Sequence, residues 1–173
     1  MRLLKKSIHS SLNSLEGNPY KRRAARGIIL NGSKILLLYT KRYNDYSFPG
    51  GGVEPHEDLV EGLKRELVEE TGARDIEVTD DYGIYEEFRP VRYEEFDFMH
   101  MTSYFYKCNI AEELGESKLE DYEIKNGMSP HWIDIHEAIA HNRDVISQKD
   151  EKMGLSIERE TYVLELIASE FLK

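Results

Sequence analysis

Three glutamates, Glu66, Glu69 and Glu70, crowd the second half of a stretch that reads GGVEPHEDLVEGLKRELVEETGA, residues 51–73. Leu59, Leu63 and Leu67 recur every four residues in it, the spacing of an apolar helical stripe. At about 100° per residue, Glu66 and Glu70 lie along the edge of that stripe, with Glu69 beside them. Gly62, one turn before Glu66, predicts open space over the same face. Local energetics oppose such a cluster. Like charges four residues apart cost about 0.2–0.5 kcal/mol, and acids in a last turn face the negative end of the helix dipole, worth about 0.3–1 kcal/mol. A divalent cation removes both penalties. Mg²⁺ takes a few carboxylates and fills its shell with water and phosphate oxygens. The pattern therefore points to a Mg²⁺ site made for a phosphate-bearing substrate; the competing reading is a solvated, glutamate-rich helix face.

The flanking residues say how those acids would be held. Asp58 is a helix N-cap and Gly72 a left-handed stop, so the predicted helix runs between them, behind a glycine-rich loop. The whole arrangement resembles a known motif. Gly51, five residues, Glu57, seven residues, then Arg65-Glu66-Leu67-Val68-Glu69-Glu70-Thr71-Gly72-Ala73 is similar to the Nudix box, and Ser47-Phe48-Pro49-Gly50 to its usual lead-in. Ala73 stands where a larger aliphatic is usual, and His56 where a glycine is common.

The resemblance implies an α/β class Nudix fold, an α/β/α sandwich with a mixed sheet. It implies a hydrolase that cleaves the phosphoanhydride of a nucleoside diphosphate linked to another moiety: ADP-ribose-like, a nucleoside triphosphate or a dinucleoside polyphosphate. The cofactor would be Mg²⁺, with Mn²⁺ as the substitute. Glu66, Glu69 and Glu70 would be the metal ligands, with the Gly50 carbonyl as an extra one. Arg65 would orient Glu57 and Glu69 through charge-assisted hydrogen bonds. The general base would come from the box or from a loop glutamate, here Glu120 or Glu123, of which Glu123 is the choice. A second reading keeps the scaffold and drops the chemistry: a module that senses a nucleotide or sugar nucleotide without cleaving it. A broken box would favour that, and this box is intact.

The rest of the chain sets bounds. Its 173 residues, 40% of them hydrophobic, suffice for one domain with a substantial core. A net charge of −10 argues against general nucleic-acid binding and makes a cation more useful for admitting an anionic substrate. Cys108 is the only cysteine, expected to be a small buried strand residue. No apolar run approaches the roughly 20 residues that span a membrane, so the expected setting is cytoplasmic. The expected partners are a small nucleotide and a second copy of the chain.

Residues 1–20 are expected to form an accessory helix or arm, from the spacing of Leu4, Ile8, Leu12 and Leu15, and residues 21–173 the Nudix domain. Strands are expected at Ala24–Leu30 and Lys34–Tyr39 about an Asn31-Gly32 turn, at Tyr46–Phe48, Asp75–Thr79, Tyr82–Phe88, Phe96–Asn109 and Trp132–Ile135. Residues 111–127 read as an acidic loop, with helices from His136 and from a Ser156 cap to Leu172. Weaker candidates are one of Arg22, Arg23 and Arg26 for a phosphate, and Tyr43, Tyr46 or Phe48 for a base. His131, His136 and His141 lack zinc-ligand spacing.

Overall fold

The computed structural model describes residues 1–172. Its element order is β1 (Leu3–Ile8), β2 (Pro19–Ile28), β3 (Leu30–Asn31), β4 (Lys34–Thr40), β5 (Asp45–Ser47), β6 (Gly50–Val53), α1 (Leu59–Thr71), β7 (Glu77–Arg89), β8 (Phe98–Asn109), α2 (Asp121–Asn126), β9 (Met128–Asp134), α3 (Ile135–Gln148) and α4 (Ile157–Phe171). One sheet is mixed and ordered β1-β7-β8-β2-β6. β1 runs parallel to β7 and β2 parallel to β8, while β7–β8 and β2–β6 are antiparallel. The second sheet is antiparallel, with β4 between β5 and β9 and the short β3 paired to its start.

Alternation on the strands divides the apolar residues between two helix layers. On β4, Ile35 and Leu37 join one cluster with Ile135, Val163, Leu164 and Ile167 of α3 and α4. Leu36 joins another with Leu63 and Leu67 of α1. All three β4 side chains are fully buried, as a period-two strand between two helix layers requires. The expected α/β/α sandwich with a mixed sheet is present.

Of the expected helix or arm, the helix is absent from residues 3–8, which form a strand. Leu4 and Ile8 are four apart, but an even spacing also puts residues on one face of a strand. Pairing decides between the two: Leu3 and residues 5–8 register against Ile84–Phe88. Gly83 admits the arm, because a Cβ there would meet Leu4 Cδ2 at 2.5 Å. The two strands expected at 75–79 and 82–88 are one strand, β7, with register shifts between Val78 and Asp80 and between Asp81 and Gly83. The acidic stretch 111–127 is not all loop, since α2 lies within it.

Candidate active site

Helix α1 forms for the reasons its sequence supplies. The Asp58 carboxylate accepts the Val60 and Glu61 amides at 2.9 and 3.1 Å, and Gly72 closes the helix with φ 71°. Leu63 and Leu67 are fully buried. That anchoring fixes the three acids in different environments. Glu70 is 4% exposed, and its Oε2 accepts the Gly50 amide at 2.7 Å. Glu66 and Glu69 are partly exposed.

The predicted opening over Gly62 is absent. A Cβ there would meet Val53 Cγ2 at 3.0 Å and the Glu57 carboxylate at 3.2 Å, so the glycine loop folds down onto that face. Space lies instead beside Glu66. A Cβ on Gly51 would stand 2.8 Å from the Glu66 carboxylate, so a side chain there would push that carboxylate aside.

Arg65 organises the loop. Its Nε and Nη2 donate to the two oxygens of Glu57 at 3.0 and 3.2 Å, and Nη1 donates to Glu66 at 2.8 Å. Glu69 Oε2 lies 3.5 Å from Nη1. The bidentate pair is the geometry in which guanidinium–carboxylate recognition is strongest. It holds the Glu57 carboxyl below its ordinary range and the Arg65 guanidinium above its own. Arg23 braces the same loop, donating to the Glu54, Pro55 and Glu57 carbonyls at 2.8–3.2 Å.

Electrostatically the site is strained. Burial raises the Glu70 carboxyl well above its ordinary value, and the charges of Glu66 and Glu123 push it further; the Gly50 amide and Arg26 oppose this. Burial also raises Glu66, with Glu69 and Glu123 adding to the shift. Glu123 therefore faces the box acids, although about fifty residues separate them in sequence. It is 4% exposed, and its Oε2 accepts the Glu120 amide at 2.7 Å, which makes it the N3 half of a cap on α2. Tyr122 beside it is pushed up to about 12, by burial and then by Glu123. Glu120 is exposed.

Arg26 was grouped in sequence with two candidate basic residues, and structure separates them. It donates from Nη1 to the Gly50 carbonyl at 3.0 Å, so this proposed ligand oxygen already carries a hydrogen bond. Gly50 sits at φ 130°, open only to glycine, and a Cβ there would lie 2.0 Å from the Ala25 carbonyl. Parity alone did not separate them, since Arg22 shares the strand face of Arg26 and is exposed; what differs is that Arg26 lies in the buried second half of β2.

The remaining candidates fall away from the acids. Phe48 is core, and Tyr46 packs with Tyr39 and His141. His131 bonds Ser129, and His141 bonds the Asn44 carbonyl. Cys108 is a buried strand residue whose thiol burial pushes up to about 12.

The donor chemistry suits a hard divalent cation: carboxylate oxygens that repel one another in a partly dry place, beside a loop backbone without side chains. The carboxylates do not yet converge. Among the described residues no three His, Cys, Asp or Glu side chains lie close enough to hold an ion as they stand. Glu66 is turned to Arg65 and Glu70 to Gly50.

One of two cavities near the site borders this loop. One, of about 860 Å³, has Glu66 and Gly52 in its wall together with Tyr20, Tyr104, Tyr122 and Arg22. The other, of about 900 Å³, lies on the α4 side and includes Arg26. β6, with Gly50, Gly51 and Gly52, is an edge strand, and its Gly52 lines the first cavity.

Comparison with known proteins assigns the class. The NUDIX domain model matches residues 20–153, most of the chain, and the protein belongs to the NUDIX family. The fold agrees. A NUDIX hydrolase from Nitrosomonas europaea superposes with a TM-score of 0.56 at 17% identity, covering 87% of this chain and 91% of that one. A MutT protein from Methanosarcina mazei Go1 gives 0.57 at 20%, covering 92% and 100%.

Among curated proteins, the chain is similar to the mitochondrial Nudix hydrolase 12 of Arabidopsis thaliana, 25% identical over 64% of this chain and 52% of that protein. It is also similar to an 8-oxo-dGTP diphosphatase of Buchnera aphidicola, 44% over 25% of this chain and 36% of that one. An RNA pyrophosphohydrolase of Pasteurella multocida matches at 42% over 27% and 24%. The chain thus spans about half, or less, of the curated relatives it matches.

Proposed function

We propose that the protein is a Mg²⁺-dependent hydrolase of a phosphoanhydride in a small nucleotide, a nucleoside diphosphate linked to a further moiety. The observation that carries this reading is the buried, raised Glu70 carboxyl facing Glu66 and Glu123 beside a glycine backbone. Family membership, and the pyrophosphohydrolase names of the relatives, support the same chemistry.

Glu66, Glu69 and Glu70 would hold the metal, with the Gly50 carbonyl available once Arg26 shifts. Bound there, Mg²⁺ supplies charge neutralisation of the phosphate oxygens and acidification of water; Mn²⁺ supplies the same. Glu57 and Arg65 would be positioning residues that together hold the loop, and Glu66, now paired with Arg65, would be a ligand of the ion. Glu123 is the preferred general base. It is dry, it faces the acids, and its Oε1 is left for a proton apart from a 3.4 Å contact with the Tyr122 hydroxyl. The cavity beside Glu66 gives the nucleotide tyrosine faces for stacking and Arg22 for phosphate. The assignment extends to residues 21–173 as the catalytic domain, with β1 as an accessory arm. The proposed setting is the cytoplasm, with which a single free, buried cysteine is compatible. A homodimer is compatible with it. Among the described residues no helix is long and apolar enough to cross a membrane.

Phosphate release with Mg²⁺ against ADP-ribose, dinucleoside polyphosphates, NADH and nucleoside triphosphates tests the proposal. Turnover that disappears in Glu70→Gln and falls more in Glu123→Gln than in Glu120→Gln is the expected result. Tight binding of one of these compounds without turnover would replace it with the sensing module.

A further inference from the structure

The segment that leads from β8 into α2, residues 110–120, lies where its charge is unwelcome. It holds Glu112, Glu113, Glu116 and Glu120 against Lys118, yet it runs along the C-terminal end of α1. That end of a helix is negative, and Glu69 and Glu70 already stand there. Backbone hydrogen bonds hold the segment in place. The Lys118 amide donates to the Glu69 carbonyl at 2.6 Å, the Gly115 amide to the Gly72 carbonyl at 2.6 Å, and the Ala111 amide to the Arg74 carbonyl at 2.8 Å. The Glu69 carbonyl is one of the last four of α1, which have no partner within the helix. The approach is backbone on backbone, since a Cβ on Gly72 would lie 2.1 Å from the Gly115 carbonyl oxygen. Leu114 packs against the cluster that contains Leu63, Leu67 and Ala73. The segment is a strap across the end of the box helix.

What the strap carries is α2. Six residues are too few to hold a helix by themselves, and packing does not hold this one. Of its residues only Glu123 is buried, while Tyr122 and Ile124 are 58% and 61% exposed. Its place is set at its ends. Beyond its C-terminal end, Lys41 and Arg42 donate their amides to the Gly127 and Asn126 carbonyls at 3.1 and 2.9 Å. Before its N-terminal end comes the strap, and Lys118 is two residues from Glu120, whose amide donates to Glu123 Oε2. Only the second hold runs to α1, the helix that bears the acids.

We infer that Lys118 is a positioning residue, whose backbone amide, tied to the Glu69 carbonyl, holds Glu123 against the box acids. The inference rests on the hydrolase reading for its catalytic half only. The Lys118 side chain is exposed and takes no part. Glu69 serves both sides of the arrangement: its carboxylate belongs to the acid group and its carbonyl fixes the strap.

Hydrogen exchange on the whole protein in metal-free buffer, followed by mass spectrometry, tests the hold without any turnover. Lys118→Pro lacks the donor, so the α2 amides should exchange at least tenfold faster while those of α1 do not change. Lys118→Ala keeps the amide and should exchange as wild type does. Should the proline variant fail to fold, an ester at position 118, introduced as the α-hydroxy acid, removes the same hydrogen without a ring, with the same result expected. Unchanged α2 exchange, or equal acceleration in α1 and α2, overturns the positioning role whether or not the protein hydrolyses anything.

The route through Glu123 is tested with Mg²⁺ and the nucleotide that turns over best. Lys118→Pro should lower kcat at least tenfold with KM within twofold, and Lys118→Ala should rescue it. In a Glu123→Gln background the same proline should cost nothing more, because the group it positions is gone. An equal loss in both backgrounds overturns the route through Glu123 and leaves the hydrolase reading intact. Absence of turnover in wild type with every nucleotide removes that reading and the catalytic half of the inference, and exchange alone then decides the strap.

Discussion

On α4, Arg159 is 2% exposed and gives one nitrogen to Glu87 at 2.6 Å and another to Glu160 at 2.7 Å. On α1, Glu70 is 4% exposed, and a backbone amide is the hydrogen-bond partner of its carboxylate. Both clusters put charge where water is scarce. In the first, each ion has an opposite ion, and the cluster ties β7, α4 and the lead-in strand together. In the second, Arg65 pairs with Glu66 and Glu69, but Glu70 has no ion-pair partner of its own and carries the repulsion of Glu66 and Glu123. Burial alone does not separate a structural charge from a functional one; the presence of a resident counter-charge does.

The contrast predicts opposite responses to mutation. The largest effect is expected from Arg159→Met, which strands Glu87 and Glu160 without their cation. Breaking a buried pair costs about 3–5 kcal/mol, so the melting temperature should fall by roughly 10 °C or more. A small shift in a thermal melt would place the α4 cluster in the same category as the α1 one.

Glu70→Gln should do the reverse. The amide oxygen can still accept from Gly50, and the repulsion from Glu66 and Glu123 is gone. The expected outcome is turnover down at least about 100-fold, or some 2.7 kcal/mol in barrier, with the melting temperature unchanged or higher. A steady-state assay beside the same melt checks it, and a marked loss of stability would make Glu70 a structural acid.

Asp45 extends the comparison to pH. Its folded pKa, about 7, lies above the unfolded value near 3.8, so the folded state binds the proton more tightly. Its contribution to stability is fully present below the unfolded value and is lost as pH rises through about 7. Asp45→Asn should therefore be more stable than wild type at pH 8, by on the order of a few kcal/mol, and close to it at pH 4. Urea melts at the two values measure this, and a difference that grows toward acid would contradict the sign.

The smallest effect is expected from Arg65→Lys. A point charge replaces a fork that holds both Glu57 oxygens. Turnover should fall about tenfold with little change in stability, since the guanidinium is 41% exposed. Unaltered kinetics would show that loop position does not depend on bidentate geometry.

Helix α1 was readable in the sequence almost to the residue, because Asp58, the leucine stripe and Gly72 act within a few positions of one another. The box acids were readable as a group for the same reason. Their environments were not. That Glu70 is dry and Glu69 half-exposed depends on where β6 runs, and Gly62 looked like a gap because the loop that fills it with Val53 and Glu57 comes from before the helix. Glu123 could be proposed from the resemblance, but its proximity to Glu66 is set by α2, whose six residues gave no periodic signal within an acidic stretch. The Arg159–Glu87–Glu160 cluster was missed altogether. Arg159 lies 72 residues from Glu87, and an Arg-Glu pair near a helix start reads as surface. The arm at residues 3–8 was misread because leucine spacing alone does not distinguish a strand from a helix until a pairing partner is known.

Strand β2 lies between β8 and β6, hydrogen-bonded in parallel to a segment some 80 residues later: Pro19 to Phe98 through Ile28 to Lys107. The middle of the sheet therefore cannot close on a ribosome until nearly two thirds of the chain has been made. Until then Ala24, Ala25, Ile28 and Ile29 are an open apolar edge. Folding should be slow for the size of the domain and sensitive to chaperone supply, and a fragment ending before β8 should collect in aggregates.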